Sequence, residues 1–354
     1  MSYNMFRIYR CVQSSNGQTV LPIRLYSRDG PFSKVHQTQI SLASPLIEPF
    51  DPAKPSSILA NYHDNLNLLK SKPEANCLVI HGSAGKWKQY APMAESLAEK
   101  NIRLVVPILP TYETTRFLKF KLSSSPSHRS VFVKNFTQKL GLKTIDCLIG
   151  HSLGNHTLFQ LWLDNAIQFK SMAILHPIAW NPTPLPFRPG PVFEYLASRM
   201  HKTWFHRFAY NVVSKSGAVI TWFIYPQCRL RLYMSIWDLI DSSHSWVDRD
   251  HGQINAIKKK LATDDRPRLI FCANDDWYQS ADMNSDSINI LSNSDVIHEN
   301  IISKDGLLIE SKMKNSKNVR VIKSTIGNHL AFRKYNEISV EEILRLIKRS
   351  KSSS

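Results

Sequence analysis

The chain alternates between short apolar runs and segments in which apolar residues recur at helical spacing. Short apolar runs that end in turns are typical of buried strands, whereas apolar residues three and four positions apart predict amphipathic helices. The pattern predicts strands at residues 34–43, 77–80, 103–109, 145–149, 172–175, 268–273 and 319–322. It predicts helices at residues 87–100, 131–140, 153–169 and 339–348.

This alternation predicts an α/β fold with a mostly parallel sheet and helices on both faces, because parallel neighbours need long, usually helical, connections. One segment, residues 178–266, breaks the rhythm: it opens with closely spaced prolines and holds five of the eight tryptophans. We therefore expect a core formed by residues 29–177 and 267–354. The segment 178–266 is expected to be an inserted helical cap or lid.

Composition narrows the class of protein. Among the 354 residues, 43% are hydrophobic, which excludes wholesale disorder, and no apolar run approaches the length of a membrane span. The five cysteines are an odd number, and Cys77, Cys147 and Cys272 fall in predicted buried strands. The sequence thus predicts no disulfide framework and favours a reducing compartment.

The N-terminal segment differs from the rest in charge. Residues 1–28 contain four arginines and no acidic residue, a composition typical of a mitochondrial transit peptide. Residues 24–27 also resemble a processing site, with cleavage after Tyr26. We expect a mitochondrial protein; a cytoplasmic protein with a basic N-terminus is the alternative.

The N-terminal segment accounts for four of the 17 net positive charges, so 13 remain on the rest of the chain. The tight cluster Lys258, Lys259 and Lys260 stands near Asp264 and Asp265, and the sequence has no RRM, KH or zinc signature. We therefore expect no nucleic-acid partner. Peripheral contact with an anionic membrane better suits the basic residues that alternate with aromatic ones in the insertion, namely Lys202, Arg207, Arg229 and Arg231.

Residues 150–154 read Gly-His-Ser-Leu-Gly, between a predicted strand and a predicted helix. This pattern in this context predicts a nucleophile elbow, in which Ser152 sits at the apex of a strained turn. Gly150 and Gly154 would let the strand and the helix approach each other. The alternative is a glycine-bounded turn with a capping serine.

A serine nucleophile needs a base and an orienting acid, which in α/β-hydrolases follow the serine in the order acid, then histidine. His329 lies after the strand predicted at 319–322 and before the last helix, where the base is expected. Asp275 and Asp276 follow the strand predicted at 268–273. Asp276 is favoured because the segment resembles a common Gly-x-x-Asp arrangement, with Ala273 in the position of the glycine. The more remote alternatives are Asp282 and Asp286.

An acyl-transfer site also needs donors for an oxyanion. The backbone N–H of Leu153, directly after the nucleophile, is one expected donor. Residues 81–85 resemble the His-Gly loop of α/β-hydrolases, and the N–H of Ser83 is the second. The same glycines do not fit a phosphate-binding loop, since the sequence lacks the Gly-x-Gly-x-x-Gly and Walker patterns.

Together these features resemble the serine-nucleophile α/β-hydrolase superfamily over residues 35–350. More narrowly, the segment around Trp180 to Pro189 resembles the cap entry of an invertebrate group of hydrolase-like proteins of unassigned function. The superfamily resemblance implies a serine hydrolase that works through an acyl-enzyme on a hydrophobic ester or thioester, without metal or organic cofactor. The alternative is a catalytically silent binding protein of the same fold.

Overall fold

The computed structural model describes residues 19–20, 32, 34–42, 56–82, 87–109, 125–177, 205, 208–209, 212, 253–274, 276, 281–292, 298–303, 308–310 and 318–352. In these ranges the strands are β1 (Thr19–Val20), β2 (His36–Leu42), β3 (Ser56–Asp64), β4 (Ala75–Ile80), β5 (Ile102–Pro107), β6 (Thr144–His151), β7 (Gln168–Leu175), β8 (Arg268–Ala273), β9 (His298–Ile302), β10 (Leu308–Glu310) and β11 (Val319–Ser324). The α-helices are α1 (Ala91–Glu99), α2 (Pro126–Lys139), α3 (Gly154–Leu163), α4 (Gln253–Leu261), α5 (Ala281–Ser292), α6 (Ala331–Lys334) and α7 (Asn336–Ser352). Short 3-10 helices occupy Leu66–Leu68, Trp87–Gln89 and Asn328–Leu330.

All the described strands join one sheet, in the order β1-β3-β5-β4-β6-β7-β8-β11-β9-β10, with β2 paired to β3. The seven-strand stretch from β5 to β9 is parallel throughout. Antiparallel pairs occur where β3 meets β2 and β5, and where β10 meets β9. The predicted fold class, a mostly parallel sheet in an α/β protein, is confirmed.

The central strands are buried on both faces of the sheet, and their residues alternate between two apolar clusters. In β4, for example, Leu78 and Ile80 belong to one cluster, whereas Cys77 and Val79 belong to the other. Helices α2 to α5 contribute to the first cluster, and α1, α6 and α7 to the second. This two-sided burial explains why these strands appear in the sequence as unbroken apolar runs.

Most predicted elements are present, with shifted ends. The helix predicted at 153–169 ends at Leu163, because Asn165 adopts a left-handed conformation with φ of 49°. Residues 168–169 instead begin β7. Helix α2 begins earlier than predicted, at Pro126, where the Ser125 side chain accepts a hydrogen bond from the N–H of His128. The pattern of apolar residues did not predict β3, β9, β10 or α5.

Part of the predicted insertion belongs to the core. Helix α4 lies within residues 178–266, but it contacts α3, and its Ile257 and Leu261 are buried in the first apolar cluster. The core therefore resumes no later than Gln253, because the apolar face of α4 completes the helical layer on the sheet. The rest of the predicted lid, apart from the isolated residues 205, 208–209 and 212, lies outside the described residues.

Part of the segment predicted as a transit peptide joins the sheet, because Thr19 and Val20 pair with Ile58 and Leu59 of β3. The other residues of 1–28 lie outside the described part. None of the helices in the described ranges has the length and apolar character needed to span a bilayer.

The cysteines on β4 and β6 are buried as thiols. Cys77 faces Cys147 in the register between the two strands, and neither forms a disulfide. A hydrogen bond with Cys147 and burial both raise the pKa of the Cys77 thiol well above its usual value. Since the thiolate is the reactive form, these side chains act as small apolar core residues.

A buried histidine on β3 predicts a dependence of stability on pH. The His63 ring stacks on Trp87, with 5.2 Å between centroids, and its Nδ1–H donates to the carbonyl oxygen of Phe32. Burial lowers the pKa of His63 to about 4. Between about pH 6.5 and 4 the unfolded chain thus binds a proton at this residue that the folded protein does not.

We expect this residue to lower the free energy of unfolding by about 1.4 kcal/mol per pH unit as the pH falls through that window. Urea unfolding at pH 7, 6, 5 and 4.5 measures the slope. His63→Asn keeps a donor towards Phe32 and does not titrate, so its slope should be smaller. An equal slope in both proteins would contradict the assignment.

Candidate active site

Ser152 stands at a sharp turn between β6 and α3. Its φ of 55° lies in the left-handed region, which few residues other than glycine adopt. The turn is held by the N–H of Ser152, which donates to the carbonyl oxygen of Leu175 over 3.0 Å. The Asn155 side chain adds hydrogen bonds to the carbonyl oxygens of Ser152 and Leu175, both 3.0 Å long. The strained turn predicted from the pentapeptide is therefore present.

The glycines of the pentapeptide are needed for close packing. A Cβ on Gly154 would collide with the carbonyl oxygen of Ile80, so the start of α3 lies directly against the end of β4. A Cβ on Gly150 would collide with the side chain of Asn155. The two glycines thus permit the strand–helix approach that puts Ser152 at the apex.

The loop after β4 lies against Ser152. A Cβ on Gly82 would be 2.7 Å from Cβ and 3.2 Å from Oγ of Ser152. His81 fixes this loop, since its Nδ1–H donates to the carbonyl oxygen of Gly82 over 2.8 Å and its Nε2 accepts from the N–H of Leu109 over 3.0 Å. This geometry makes His81 a neutral imidazole in one tautomer.

Of the two predicted oxyanion donors, Leu153 lies among the described residues and Ser83 does not. Leu153 directly precedes the first residue of α3, where backbone N–H groups have no acceptor within the helix and can face a ligand. Ser83, the predicted second donor, lies outside the described residues. The neighbouring Gly82 places its loop beside the nucleophile.

Alanine at Gly82 should therefore displace the reacting groups. We expect Gly82→Ala to lower kcat/KM for ester hydrolysis by about 10²-fold, because misplacement by about 1 Å has that order of effect. Gly141→Ala is the control, since a Cβ there has no neighbour within 4 Å and only the local φ is strained. Steady-state kinetics measure the activity of both variants, and thermal unfolding confirms that both are folded. Equal activity in the two variants would contradict this account of Gly82.

Asp276 and His329 meet at the carboxyl edge of the sheet. Asp276 follows β8 and His329 follows β11, and these strands are parallel neighbours, so their ends lie side by side. The Nδ1–H of His329 donates to Oδ2 of Asp276 over 2.8 Å. The Asp276 side chain is fully buried, and that of His329 is 9% exposed. Such a bond fixes the ring and leaves Nε2 as the nitrogen that can accept a proton.

A second histidine donates to the same carboxylate. His176, directly after β7, places its Nδ1 3.2 Å from Oδ2 of Asp276, and both side chains have no exposed surface. No sequence motif singles out His176. The available signal was its position, since it is a polar residue at the carboxyl end of a predicted strand beside the one that leads to Ser152.

The charges in this cluster favour an ionised Asp276. Burial raises the pKa of the carboxyl, but the charge of His329 and the hydrogen bonds from His176 and His329 outweigh burial, so the pKa lies far below its usual value. The same three side chains place ligand atoms within 4.8 Å of one another and could hold a metal ion. The two distances to Oδ2 are those of hydrogen bonds from the imidazole rings.

A third histidine, His151, joins Ser152 to the loop of His329. Its Nε2–H donates to the carbonyl oxygen of His329 over 3.1 Å, and its Nδ1 accepts from the Tyr90 hydroxyl over 3.1 Å. Burial, followed by the neighbouring His329 and His176, lowers the pKa of His151 well below its usual value. His151 is therefore a neutral linker between the two loops.

The structure brings Asp276 and His329 into direct contact and places Ser152 next to His151, whose ring centroid is 5.1 Å from that of His329. Among the alternative acids, Asp286 is exposed on α5. Asp275 and the side chain of Asp282 lie outside the described residues. Asp276 is thus the described acid that contacts the candidate base.

No family model and no curated protein matches the sequence. Solved structures do match the fold. An esterase from Thermogutta terrifontis superposes with a TM-score of 0.57 at 12% identity, over 89% of this chain and 99% of the esterase. A bromoperoxidase from Bacillus anthracis gives 0.53 at 12% identity, over 88% and 100% of the two chains.

A membrane phospholipase A, a bacterial virulence factor, gives a TM-score of 0.50 at 14% identity, over 89% of this chain and 87% of the phospholipase. The narrower resemblance to an invertebrate group stays a prediction. At these identities the likeness concerns architecture, and it agrees with the strand order and the elbow described above. The chain has the α/β-hydrolase fold.

Proposed function

We propose that this protein is a serine hydrolase, with Ser152 as nucleophile, His329 as general base and Asp276 as the acid that orients His329. The observation that carries the proposal is the buried Asp276–His329 hydrogen bond, at the same edge of the sheet as a serine held at positive φ. The esterase and the phospholipase A of the same fold agree with it. The substrate proposed is a hydrophobic ester or thioester.

The first half of the reaction forms an acyl-enzyme. Because Nδ1–H of His329 is bound to Asp276, Nε2 takes the proton of Ser152 as Oγ attacks the substrate carbonyl. The carboxylate of Asp276 stabilises the imidazolium that forms. The imidazolium then protonates the departing alcohol or thiol, and the acyl group stays on Oγ.

The second half releases the acid. Water attacks the acyl carbonyl while Nε2 of His329 takes its proton, and the same proton returns to Oγ of Ser152 as the ester bond breaks. In both halves the carbonyl oxygen becomes an oxyanion, for which we assign the N–H groups of Leu153 and Ser83. Each donor is expected to contribute about 10²–10³ in rate.

The choice of a hydrophobic substrate rests on the inserted segment. Phe205, Phe208 and Val212 are 61%, 57% and 47% exposed, which is high for apolar side chains. Their spacing is that of one helix face, and Lys202 and Arg207 are near them in sequence. We propose that this face meets apolar acyl groups, with peripheral binding to anionic membranes. Flotation with liposomes that contain or lack anionic lipid tests the membrane contact, and equal recovery would contradict it.

An active-site label tests the enzyme proposal directly. A fluorophosphonate should modify the folded protein once, at the peptide that contains Ser152, and should not modify heat-unfolded protein. A panel of esters and thioesters of increasing acyl length should then show hydrolysis that favours longer chains. Failure to label Ser152 in folded protein would instead support the silent binding protein.

A further inference from the structure

We propose that His176 is a positioning residue of the active site, which holds the carboxylate of Asp276 through a second imidazole hydrogen bond. The inference rests on the proposed function, because it assigns a role within the same catalytic apparatus. It makes the acid–base pair a three-residue arrangement, His176–Asp276–His329, around one carboxylate oxygen.

The geometry supports simultaneous bonds from both rings. Oδ2 of Asp276 lies 2.8 Å from Nδ1 of His329 and 3.2 Å from Nδ1 of His176. A carboxylate oxygen has two lone pairs, so it can accept both protons. The ring centroids of His176 and His329 are 5.3 Å apart with 55° between the ring planes, so both rings lie beside the same acceptor.

The backbone holds His176 in an uncommon conformation. Its φ is 46°, and its N–H donates to the carbonyl oxygen of Phe271 over 2.6 Å. The ring lies between Phe271 and Phe332, with centroid distances of 6.1 and 6.2 Å. For residues other than glycine this conformation is costly, and active sites are one of the places where such residues cluster. Here the conformation aims Nδ1 at Asp276.

The charge balance explains why His176 acts as a neutral donor. Among the described residues, the ionisable groups that face it include Asp276, His329 and His151, and His151 is neutral because its Nε2 donates and its Nδ1 accepts. One buried carboxylate balances one imidazolium, and a second would leave an uncompensated buried charge. Of the two rings, His329 is the one with some exposed surface, 9% of its side chain, whereas His176 has none. We therefore assign the proton exchange with Ser152 to His329, while His176 only donates a hydrogen bond from its Nδ1–H.

Loss of this donor should change the base as well as the acid. Without the second bond, the carboxylate can rotate about its Cβ–Cγ bond, so His329 is less often in the reactive orientation. Since the orientation of His329 matters for proton transfer in the transition state, the loss should appear in kcat and leave KM nearly unchanged.

Two isosteric variants test the role. Asparagine can donate from the position of Nδ1 and tolerates positive φ, whereas leucine has the same shape without a donor. We expect His176→Leu to lower kcat about tenfold with little change in KM. His176→Asn should restore kcat. Wild-type kinetics in the leucine variant, or equal losses in the two folded variants, would overturn the proposal.

An independent measurement does not require activity. Proton NMR of ¹⁵N-histidine-labelled Ser152→Ala protein should show two ring N–H protons at lower field than those of His63, His81 and His151, which donate to backbone carbonyls. His176→Asn in that background should remove one of the two. A single proton in that low-field group before the substitution, or two after it, would exclude the shared carboxylate. Two protons in a protein whose Ser152 resists fluorophosphonate would support the shared carboxylate and reject the proposed function alone.

Discussion

Alanine at Ser152 is expected to lower ester hydrolysis by at least about 10⁴-fold, the order of loss seen when a triad nucleophile is removed. In the proposed mechanism Oγ forms the covalent bond to the acyl group, and no other described hydroxyl lies at the same turn. The substitution removes one atom and leaves the hydrogen bonds of the Ser152 backbone in place. Initial rates on the best substrate of the ester panel measure the effect.

The matched control is Ser171→Ala. Ser171 is a buried serine on β7 whose Oγ donates to the carbonyl oxygen of Asp146 over 2.7 Å, in the part of the strand away from the catalytic edge. This variant should lose about 1 kcal/mol of stability and keep its activity. Equal activity in wild type and Ser152→Ala would place the nucleophile elsewhere.

The second large loss of activity is expected from a substitution of the proposed orienting acid. Asp276→Asn should lower kcat about 10⁴-fold, because the amide can present an N–H group to His329 and favour the tautomer whose Nε2 is already protonated. The exposed Asp286 on α5 provides the matched control, and Asp286→Asn should leave kcat unchanged. A loss below tenfold in folded Asp276→Asn protein would contradict the role of this carboxylate.

Asp276→Asn should also change how the free energy of unfolding depends on pH in acid. The folded-state pKa of Asp276 lies below its unfolded value of about 3.9, so the carboxylate contributes stability that is fully present above that pH. This contribution is lost as the pH falls through the folded-state pKa. Stability of the wild type should therefore decline more steeply below about pH 4 than that of Asp276→Asn, as measured by urea unfolding.

The sequence predicts the parts of the candidate site that lie in one continuous segment or in a fixed order along the chain. Ser152 and its two glycines are neighbours in the chain, and the strand and helix that flank them have clear apolar patterns. His329 and Asp276 were predictable because each follows a buried strand in the order that the fold uses. Each of these residues is identified by local sequence or by chain order.

His176 could not be identified in this way, because its role depends on a contact with Asp276, 100 residues away. Strands at the margins were missed for another reason. The strand β3 pairs antiparallel with β2 and β5 and carries polar residues such as Asn61 and Asp64, so it lacks the apolar run of a central strand. Helix ends were displaced where a single residue, such as Asn165, adopts positive φ.

The link between His151 and His329 has a practical consequence. The acceptor on His329 is its main-chain carbonyl, so the hydrogen bond from His151 does not depend on the imidazole of residue 329. A His329→Ala protein would keep this anchor while lacking the proposed base. Such a protein is suited to binding an uncleaved ester in a crystal, and the electron density of the bound molecule would identify the substrate.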